Sequence, residues 1–207
     1  MQFTLIGMSG AGKSYWSKIV ETIGYRRYSC DELIAERFGK TLGKGEATLN
    51  LSKWMGEPFS KGHEEAEVLY LKMEKEVVTQ ICNELEKNNQ KDEPVVIDST
   101  GSLIYLEEEL INRVRKLTKT VLLEIPVEKY DELFYTYTKF PKPIIWNGKY
   151  NPLEGEDHQK AMYRCFRELL NLRNKRYESI ADLRLDYSFH YNPITTVENL
   201  LDLVEAV

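Results

Sequence analysis

A glycine-rich segment near the start of the chain has the spacing of a phosphate-binding loop. Residues 7–14, GMSGAGKS, match the pattern GxxxxGK[ST] between a short apolar run at residues 3–6 and a helical pattern at residues 12–23. Glycines there let successive backbone N–H groups face phosphate oxygens, and the helix N-terminus adds partial positive charge. A glycine turn that matches by chance is the alternative, and the flanking strand and helix disfavour it. The segment therefore predicts a nucleotide-phosphate site.

Two side chains of this loop have individual roles in the pattern. Lys13 is expected to reach the β- and γ-phosphates, and Ser14 to place its hydroxyl on Mg²⁺. We therefore expect ATP and Mg²⁺ to bind. The other residues expected to contact the nucleotide are Gly7, Ser9, Gly10, Ala11, Gly12 and Tyr15.

A second chemical signal is a carboxylate at the end of an apolar run. Residues 95–97 have the composition of a buried parallel strand, and Asp98 follows them directly. In P-loop proteins such an Asp holds or orients the metal ion, which makes Asp98 a second candidate metal residue beside Ser14. A simple helix cap is the alternative, since many buried strands end in Asp at a turn.

The elements that would position these residues alternate between strand and helix along the chain. This rhythm is typical of an α/β protein with a parallel sheet. A capping box at Thr195 and Glu198 should begin the last helix. The patterns predict strands over residues 3–6, 25–29, 95–97, 120–125 and 183–187, and helices over about 12–23, 31–38, 64–88, 103–117, 128–137 and 158–177.

Two segments have no clear period. Residues 39–62 contain five glycines, and we interpret them as a mobile binding segment. Residues 139–155 are rich in Pro and Gly and long enough to form a lid. Substrate specificity is expected to reside in such loops.

Composition narrows the class of protein. Among 207 residues, 28 Lys and Arg stand against 33 Asp and Glu, so no overall positive field would hold the chain on nucleic acid or on an anionic membrane. No apolar stretch approaches the roughly 18 residues of a membrane span, and the N-terminus lacks the layout of a signal peptide. The cysteines Cys30, Cys82 and Cys165 show no metal-ligand spacing, so we interpret them as reduced thiols in a cytoplasmic protein.

Three further motifs point to a known family. Residues 29–34 are in register with a DxDxxIE motif, residues 142–145 resemble an RPLL lid motif, and a C-terminal pattern is matched by Arg173, Tyr177, Ala181 and Asp182. With the phosphate loop, they make nearly the whole chain resemble shikimate kinases, a group of P-loop small-molecule kinases. The resemblance implies a three-layer P-loop kinase fold whose five-stranded parallel sheet has the order 2-3-1-4-5. It also implies one domain over residues 1–207, with a substrate-binding segment at about 31–62 and a lid at about 139–157.

The resemblance also implies roles for single residues. Asp31 matches the Asp that contacts the accepting hydroxyl, where it would orient and help deprotonate that group. Lys142 stands where the lid carries an Arg, and with Lys13 it would neutralise charge on the transferred phosphoryl group. Arg173 matches a ligand of the substrate's anionic group, and Gly101 remains from a GGG motif where substrate approaches bare backbone.

Each of these residues also has a purely structural alternative. Asp31 could only cap the helix that starts there. Lys142, between two prolines, could be a solvated charge of the lid. Arg173 shares a basic helix face with charges that solvate the helix, and large aromatics such as Trp54 and Trp146 more often pack than bind ligands.

The sequence departs from the family where substrate and metal are bound. Ser29 replaces the first Asp of the DxDxxIE motif, which is associated with Mg²⁺, so Asp98 is expected to compensate. Residues 56–59 keep only part of a GExxFRxxE motif, and Ser60 or Lys61 stands where a substrate-binding Arg belongs. This change is not conservative, because an Arg fork binds a carboxylate through two hydrogen bonds whereas Lys acts as a point charge.

The sequence thus predicts an ATP-dependent kinase that phosphorylates a hydroxyl of a small, anionic metabolite. Its partner would be this small-molecule acceptor, without nucleic acid or membrane, and the protein would be a monomer or a weak homodimer. Two alternatives stay open. One is a kinase for another acceptor, such as a nucleotide or sugar acid. The other is a nucleotide-binding regulatory protein with a degenerate kinase site.

Overall fold

The computed structural model describes residues 1–41, 50–87 and 93–207. Its strands form one parallel sheet with the order β2-β3-β1-β4-β5, flanked by helices. This confirms the α/β class and the strand order that the resemblance implied. The strands are β1 (Gln2–Ile6), β2 (Arg26–Ser29), β3 (Val95–Asp98), β4 (Lys119–Leu123) and β5 (Leu183–Leu185).

The helices follow the predicted alternation closely. The long helix α4 and the helix after the lid, α7, are the largest of the described elements. The helices are α1 (Lys13–Thr22), α2 (Cys30–Thr41), α3 (Leu51–Met55), α4 (His63–Lys87), α5 (Glu108–Leu117), α6 (Tyr130–Lys139), α7 (His158–Ile180), α8 (Tyr187–His190) and α9 (Val197–Glu205).

Strands β1 and β3 are buried on both faces, which explains their nearly continuous apolar sequence. Leu5 of β1 lies opposite Asp98 of β3 in the parallel register. The phosphate loop after β1 and the Asp98 carboxylate after β3 therefore share the carboxyl edge of the sheet. Ligands of open α/β sheets bind at this edge.

Several boundaries differ from the sequence prediction; the last strand, for example, ends at Leu185 and not at residue 187, where α8 begins. The helix predicted over residues 103–117 is divided: a 3-10 turn, Leu103–Tyr105, is followed by extended Leu106 and then by α5. The buried side chains of Leu103, Ile104 and Leu106 explain the break, because the turn directs all three into the core. The helix predicted from residue 128 likewise begins with a 3-10 turn, Val127–Lys129, ahead of α6.

The capping box of the last helix was predicted one residue too early. Thr196, not Thr195, caps α9, and Asn199 rather than Glu198 completes the box. The Thr195 hydroxyl instead donates to the carbonyl oxygen of Phe189 at 2.7 Å. That contact with the preceding turn leaves the next threonine to cap the helix.

The glycine-rich segment contains a helix that the sequence did not predict. Asn50 caps α3 by accepting a hydrogen bond from the backbone N–H of Lys53. Trp54 of this helix packs on Phe38 of α2, with ring centroids 4.4 Å apart, so its role is packing. Residues 42–49 of the predicted binding segment lie outside the described residues.

The described residues contain no helix that is long and apolar enough to cross a bilayer. All three cysteines are free and buried. Cys30 therefore fits the expected small core side chain, and burial raises the pKa of its thiol well above the usual value. A neutral, buried thiol is not a nucleophile.

Candidate active site

The phosphate loop joins β1 to α1. Gly7 has φ +136°, and a Cβ there would lie 2.9 Å from the backbone oxygen of Leu123, so only glycine fits. Gly12 has a left-handed backbone conformation and directly precedes α1. The N-terminus of α1 therefore faces the loop. The structure thus has the strand, turn and helix that the sequence pattern requires.

Lys13 lies inside the loop that precedes it. Its side chain is buried, and its Nζ donates to the carbonyl oxygens of Gly7 at 2.7 Å and Met8 at 2.9 Å. Burial lowers the pKa of Lys13 to about 8, although the carboxylates of Asp98 and Asp31 oppose this shift. An ammonium held by loop carbonyls can exchange these for phosphate oxygens when a nucleotide enters.

Asp98 is part of a buried polar cluster that the sequence did not predict in full. Its Oδ2 accepts hydrogen bonds from Ser17 at 3.2 Å and from Nη2 of Arg27 at 3.4 Å. Nε of Arg27 also donates to the Ser17 hydroxyl at 3.0 Å. The guanidinium offsets part of the negative charge of Asp98. The strand register would have revealed this pair, because Ser29 lies opposite Asp98 and Arg27 is two residues earlier on the same face of β2.

The residues present fit a magnesium ion bound mainly through its nucleotide. Ser14 is exposed in the phosphate-loop cleft, and Asp98 keeps a carboxylate oxygen, Oδ1, outside the contacts with Arg27 and Ser17. The described residues contain no cluster of three His, Cys, Asp or Glu side chains that could hold a metal without a nucleotide. Mg²⁺ in kinase sites takes one or two protein ligands and fills its shell with phosphate oxygens and water, so this donor set is sufficient.

Two neighbouring clefts meet beside the phosphate loop. One, of about 190 Å³, contains Lys13 and Ser14, and the other, of about 40 Å³, contains Tyr70 and Arg173. Both volumes are below the range of ligand pockets, so a ligand bound there would have to widen the clefts. Both clefts are lined by Ser9, Asp31, Gly101 and Lys142.

Asp31 lies in the first turn of α2, at the junction of the clefts. The residue is exposed and lines both clefts, and the Tyr70 hydroxyl donates to Oδ1 at 3.2 Å. The surrounding protein raises the pKa of Asp31 by desolvation, whereas the cations of Lys13 and Lys142 oppose the rise. A carboxylate that contacts a hydroxyl of another helix and faces a cleft does more than cap its own helix.

Arg173 is buried at the far side of the smaller cleft. Its Nη2 donates to the carbonyl oxygen of Ile145 at 2.6 Å, and its Nε donates to the Tyr105 hydroxyl at 3.2 Å. Nη1 lies 3.5 Å from the position that a Cβ would take at Gly101. The Tyr177 hydroxyl donates to the Gly101 carbonyl oxygen at 2.6 Å. Arg173 and Tyr177 therefore frame Gly101 as one side of the cleft.

A buried carboxyl group, Glu74, supports this side of the cleft and was not predicted. Its Oε2 accepts a hydrogen bond from Ser102 at 2.6 Å, and Oε1 accepts one from Thr100. Burial raises the pKa of Glu74 to about 7. The sequence did contain a signal, because residue 74 lies one turn from Tyr70 on the apolar stripe of α4.

The segment predicted as the lid places one exposed cation at both clefts and has a buried base. Lys142 is exposed and lines both clefts, while Ile144, Ile145 and Trp146 are buried. Glu67 of α4 accepts hydrogen bonds from the backbone N–H groups of Trp146 and Asn147. Trp146 is therefore a packing residue at the base of the lid.

The structure brings together most of the residues that the sequence selected. Gly7 and Ala11 are the exceptions on the nucleotide side, since both are buried in the base of the loop. Asp98 lies behind the phosphate loop and contacts α1 through Ser17. The predicted residues that line the phosphate-loop cleft are Ser9, Gly10, Gly12, Lys13, Ser14, Tyr15, Asp31, Gly101 and Lys142.

Another contact with the phosphate loop comes from the C-terminal part of the chain and was missed. The Tyr191 hydroxyl donates to the carbonyl oxygen of Gly10 at 2.6 Å, and the Tyr191 ring stacks on Tyr187 at 4.4 Å. The two residues are separated by 181 positions in sequence. No local pattern marks such a contact.

Comparison with known proteins places this arrangement in a class of fold. No family model matches the sequence, and no curated protein matches it. Among solved structures, shikimate kinase from Bacteroides thetaiotaomicron is similar with a TM-score of 0.64 and 18% identity, over 98% of this chain and 97% of that one. Shikimate kinase from Acinetobacter baumannii in complex with shikimate has a TM-score of 0.62 and 18% identity, over 99% and 92%. The chain therefore has a shikimate-kinase-like P-loop fold.

Proposed function

We propose that the protein transfers the γ-phosphoryl group of ATP to a hydroxyl of a small, anionic metabolite. The observation that carries this proposal is the junction of the two clefts. Lys13 lies on the nucleotide side, Arg173 on the acceptor side, and Asp31 and Lys142 line both. A regulatory protein that only binds a nucleotide needs the cleft at Lys13. It does not need a second cleft that meets the first at Asp31 and Lys142.

Each residue at the junction has a role in an in-line transfer. Asp31 accepts a hydrogen bond from the acceptor hydroxyl, orients it and helps remove its proton. Lys13 and Lys142 neutralise the charge that develops on the transferred phosphoryl group. Arg173 holds the anionic group of the acceptor through Nη1. Positioning and charge stabilisation dominate phosphoryl transfer, so these residues account for most of the expected rate enhancement.

Magnesium would be held by Ser14 and Asp98 together with the nucleotide. When bound, the ion would offset the negative charge of the nucleotide phosphates. Asp98 contributes at reduced charge because of Arg27. The closed lid excludes water that would otherwise hydrolyse ATP.

The proposal is tested by ADP formation from ATP and Mg²⁺ in the presence of acceptors. Shikimate is offered first, followed by small hydroxy acids, sugar acids, sugars and nucleosides. Lys13→Ala should reduce acceptor-dependent turnover at least about a hundredfold, because it removes a charge that stabilises the transition state. Lys18→Ala is the matched control, since Lys18 is exposed on the same helix. Turnover of Lys13→Ala within a few-fold of the wild-type rate would refute this mechanism.

The regulatory alternative is kept because of the pair formed by Arg27 and Asp98. An ion pair at the candidate metal carboxylate, together with Ser29 in place of a second Asp, would suit a site that binds nucleotide and does not turn over. Tight ATP binding without ADP release for any acceptor supports this alternative. Turnover on an acceptor other than shikimate supports a kinase with a rebuilt pocket.

The proposal covers the whole chain as one kinase domain over residues 1–207, with a substrate-binding segment at about 31–62 and a lid at about 139–157. We propose that this domain acts in the cytoplasm as a monomer or weak homodimer. Its partner is a small-molecule acceptor and not nucleic acid, in keeping with the net charge of -5.

A further inference from the structure

One buried carboxylate connects three segments around the acceptor cleft. Glu67, on the second turn of α4, accepts hydrogen bonds from the backbone N–H groups of Trp146 and Asn147, the latter at 3.2 Å to Oε2. Asn147 has a left-handed conformation, with φ 51°, at the turn that ends the base of the lid. The lid is thus bonded through its backbone to a helix of the sheet core.

His63 holds this carboxylate from the other side. Its Nε2 is 3.1 Å from Oε1 of Glu67, and its Nδ1 is 3.2 Å from the carbonyl oxygen of Gly56 and 3.3 Å from that of Met55. These neighbours are all acceptors, so both ring nitrogens must donate, and the imidazolium is the form that fits. Burial lowers the pKa of His63, but the hydrogen bond and charge of Glu67, together with the hydrogen bonds to the carbonyl oxygens of Met55 and Gly56, outweigh it, so the pKa is raised.

The same part of the lid is also held by the acceptor side of the cleft. Arg173 donates to the carbonyl oxygen of Ile145, directly before the two residues that Glu67 binds. Three consecutive lid residues are therefore fixed by side chains from α4 and α7. Lys142 stands three positions earlier, between Pro141 and Pro143, whose rings restrict the backbone on both sides.

We infer that Glu67 is a positioning residue for phosphoryl transfer: supported by His63, it fixes the base of the lid and thereby holds Lys142 over the junction of the clefts. This inference rests on the proposed function. Glu67 does not line the described clefts, so it acts through the lid. Among the described residues, the Glu67 carboxylate accepts hydrogen bonds from Trp146 and Asn147 of the lid. Its neighbour in α4 is His63, which contacts the segment before that helix.

Hydrogen exchange tests the physical contact without any turnover. In Glu67→Ala, a peptide covering residues 144–151 should exchange at least about tenfold faster, because two amides lose their acceptor. Glu65→Gln is the matched control, since Glu65 is exposed on the first turn of the same helix. Unchanged exchange in this peptide overturns the inference, and so does equal acceleration in the sheet, which would indicate general destabilisation.

Kinetics test the consequence for the reaction. Glu67→Ala should lower kcat about tenfold with a smaller change in the acceptor KM, because Lys142 is held less firmly in the transition state. It should also increase ADP formation without acceptor, since a loosened lid admits water. Glu67→Gln keeps one acceptor oxygen and should have intermediate values, and it also serves as the measurement if the alanine variant does not fold. If hydrogen exchange shows a loosened lid but kcat and uncoupled hydrolysis are unchanged, the positioning role is overturned. Loss of the proposed function is distinguishable, because the wild-type protein would then show no turnover while the exchange result still stands.

Discussion

Lys13 combines two properties that are in tension in the unliganded protein. Its ammonium group is buried, which lowers its pKa to about 8. The same group donates hydrogen bonds to the carbonyl oxygens of Gly7 and Met8. A bound triphosphate would replace these dipoles with full negative charges and favour the protonated form. Nucleotide binding should therefore be coupled to protonation of this side chain.

The pH dependence of ATP affinity checks this coupling. The unliganded lysine is charged below about pH 8 and neutral above it, so the affinity for ATP should weaken with rising pH, by up to about tenfold per pH unit above pH 8. A titration from about pH 7.5 to 9.5 begins above the phosphate pKa near 6, so the nucleotide itself contributes little. Lys13→Ala should bind more weakly but with little pH dependence. Parallel profiles for the two proteins would contradict the coupling.

At this scale the sequence predicted the residues that belong to local motifs and missed their distant partners. Lys13 and Asp31 stand in motifs a few residues long, whose spacing fixes their geometry. Arg27 was missed because its contact with Asp98 joins positions 71 apart. Glu67 was missed for the same reason, with 79 positions between it and Trp146.

Among the elements, the connection after β3 places a single glycine beside the phosphate loop. The resemblance matches a GGG motif to Gly101, Ser102 and Leu103, of which only the first is glycine. The hydroxyls of Thr100 and Ser102, on either side of Gly101, both donate to the buried carboxyl group of Glu74.

Gly101→Ala measures how close these elements must be. A Cβ at this position would lie 3.3 Å from the backbone nitrogen of Ser9, which must move by a few tenths of an ångström, and 3.5 Å from Nη1 of Arg173, which is an ordinary contact. We expect the acceptor KM to rise about tenfold and the thermal unfolding midpoint to change by only a few degrees. An unchanged KM would show that the acceptor does not approach the protein at this glycine.

For the predicted lid and the glycine-rich segment, the sequence indicated where loops occur but did not predict the helix or the buried residues within them. Pro and Gly content indicated loops, yet α3 begins at a cap that a single Asn provides, and the lid base is buried. Tertiary packing decided both cases. Trp54 and Trp146 supply the apolar area that orders these segments, and an isolated tryptophan in a loop does not reveal what it packs against.

Across the whole molecule, the alternation of strands and helices was sufficient to predict the α/β class with a parallel sheet. Parallel strands need crossover connections, and buried central strands read as continuous apolar runs, so the sheet follows from local patterns. The strand order came from the resemblance, which the solved structures support at 18% identity. The buried charges are what local patterns could not predict, because burial is a property of the assembled layers.

The burial of Glu74 makes the stability of the folded protein depend on pH. The pKa of Glu74 is raised to about 7 from an ordinary value of 4.5, so the folded protein binds this proton more tightly than the unfolded chain does. The protonated Glu74 side chain therefore contributes stability that is present in full below about pH 4.5 and is lost as the pH rises toward 7. The linkage amounts to at most about 3 kcal/mol.

Glu74→Gln, which resembles the protonated carboxyl group in shape, tests this effect on the whole molecule. Near pH 5 the free energy of unfolding should be close to that of the wild type, whereas at pH 8 the variant should be more stable by about 2 kcal/mol, because it carries no buried charge. Denaturant unfolding at both pH values measures the difference, and Glu65→Gln on the same helix should show no such change with pH. If Glu74→Gln has the same effect at pH 5 and pH 8, the hydroxyls of Thr100 and Ser102 satisfy the carboxylate fully, and its charge has no cost to the fold.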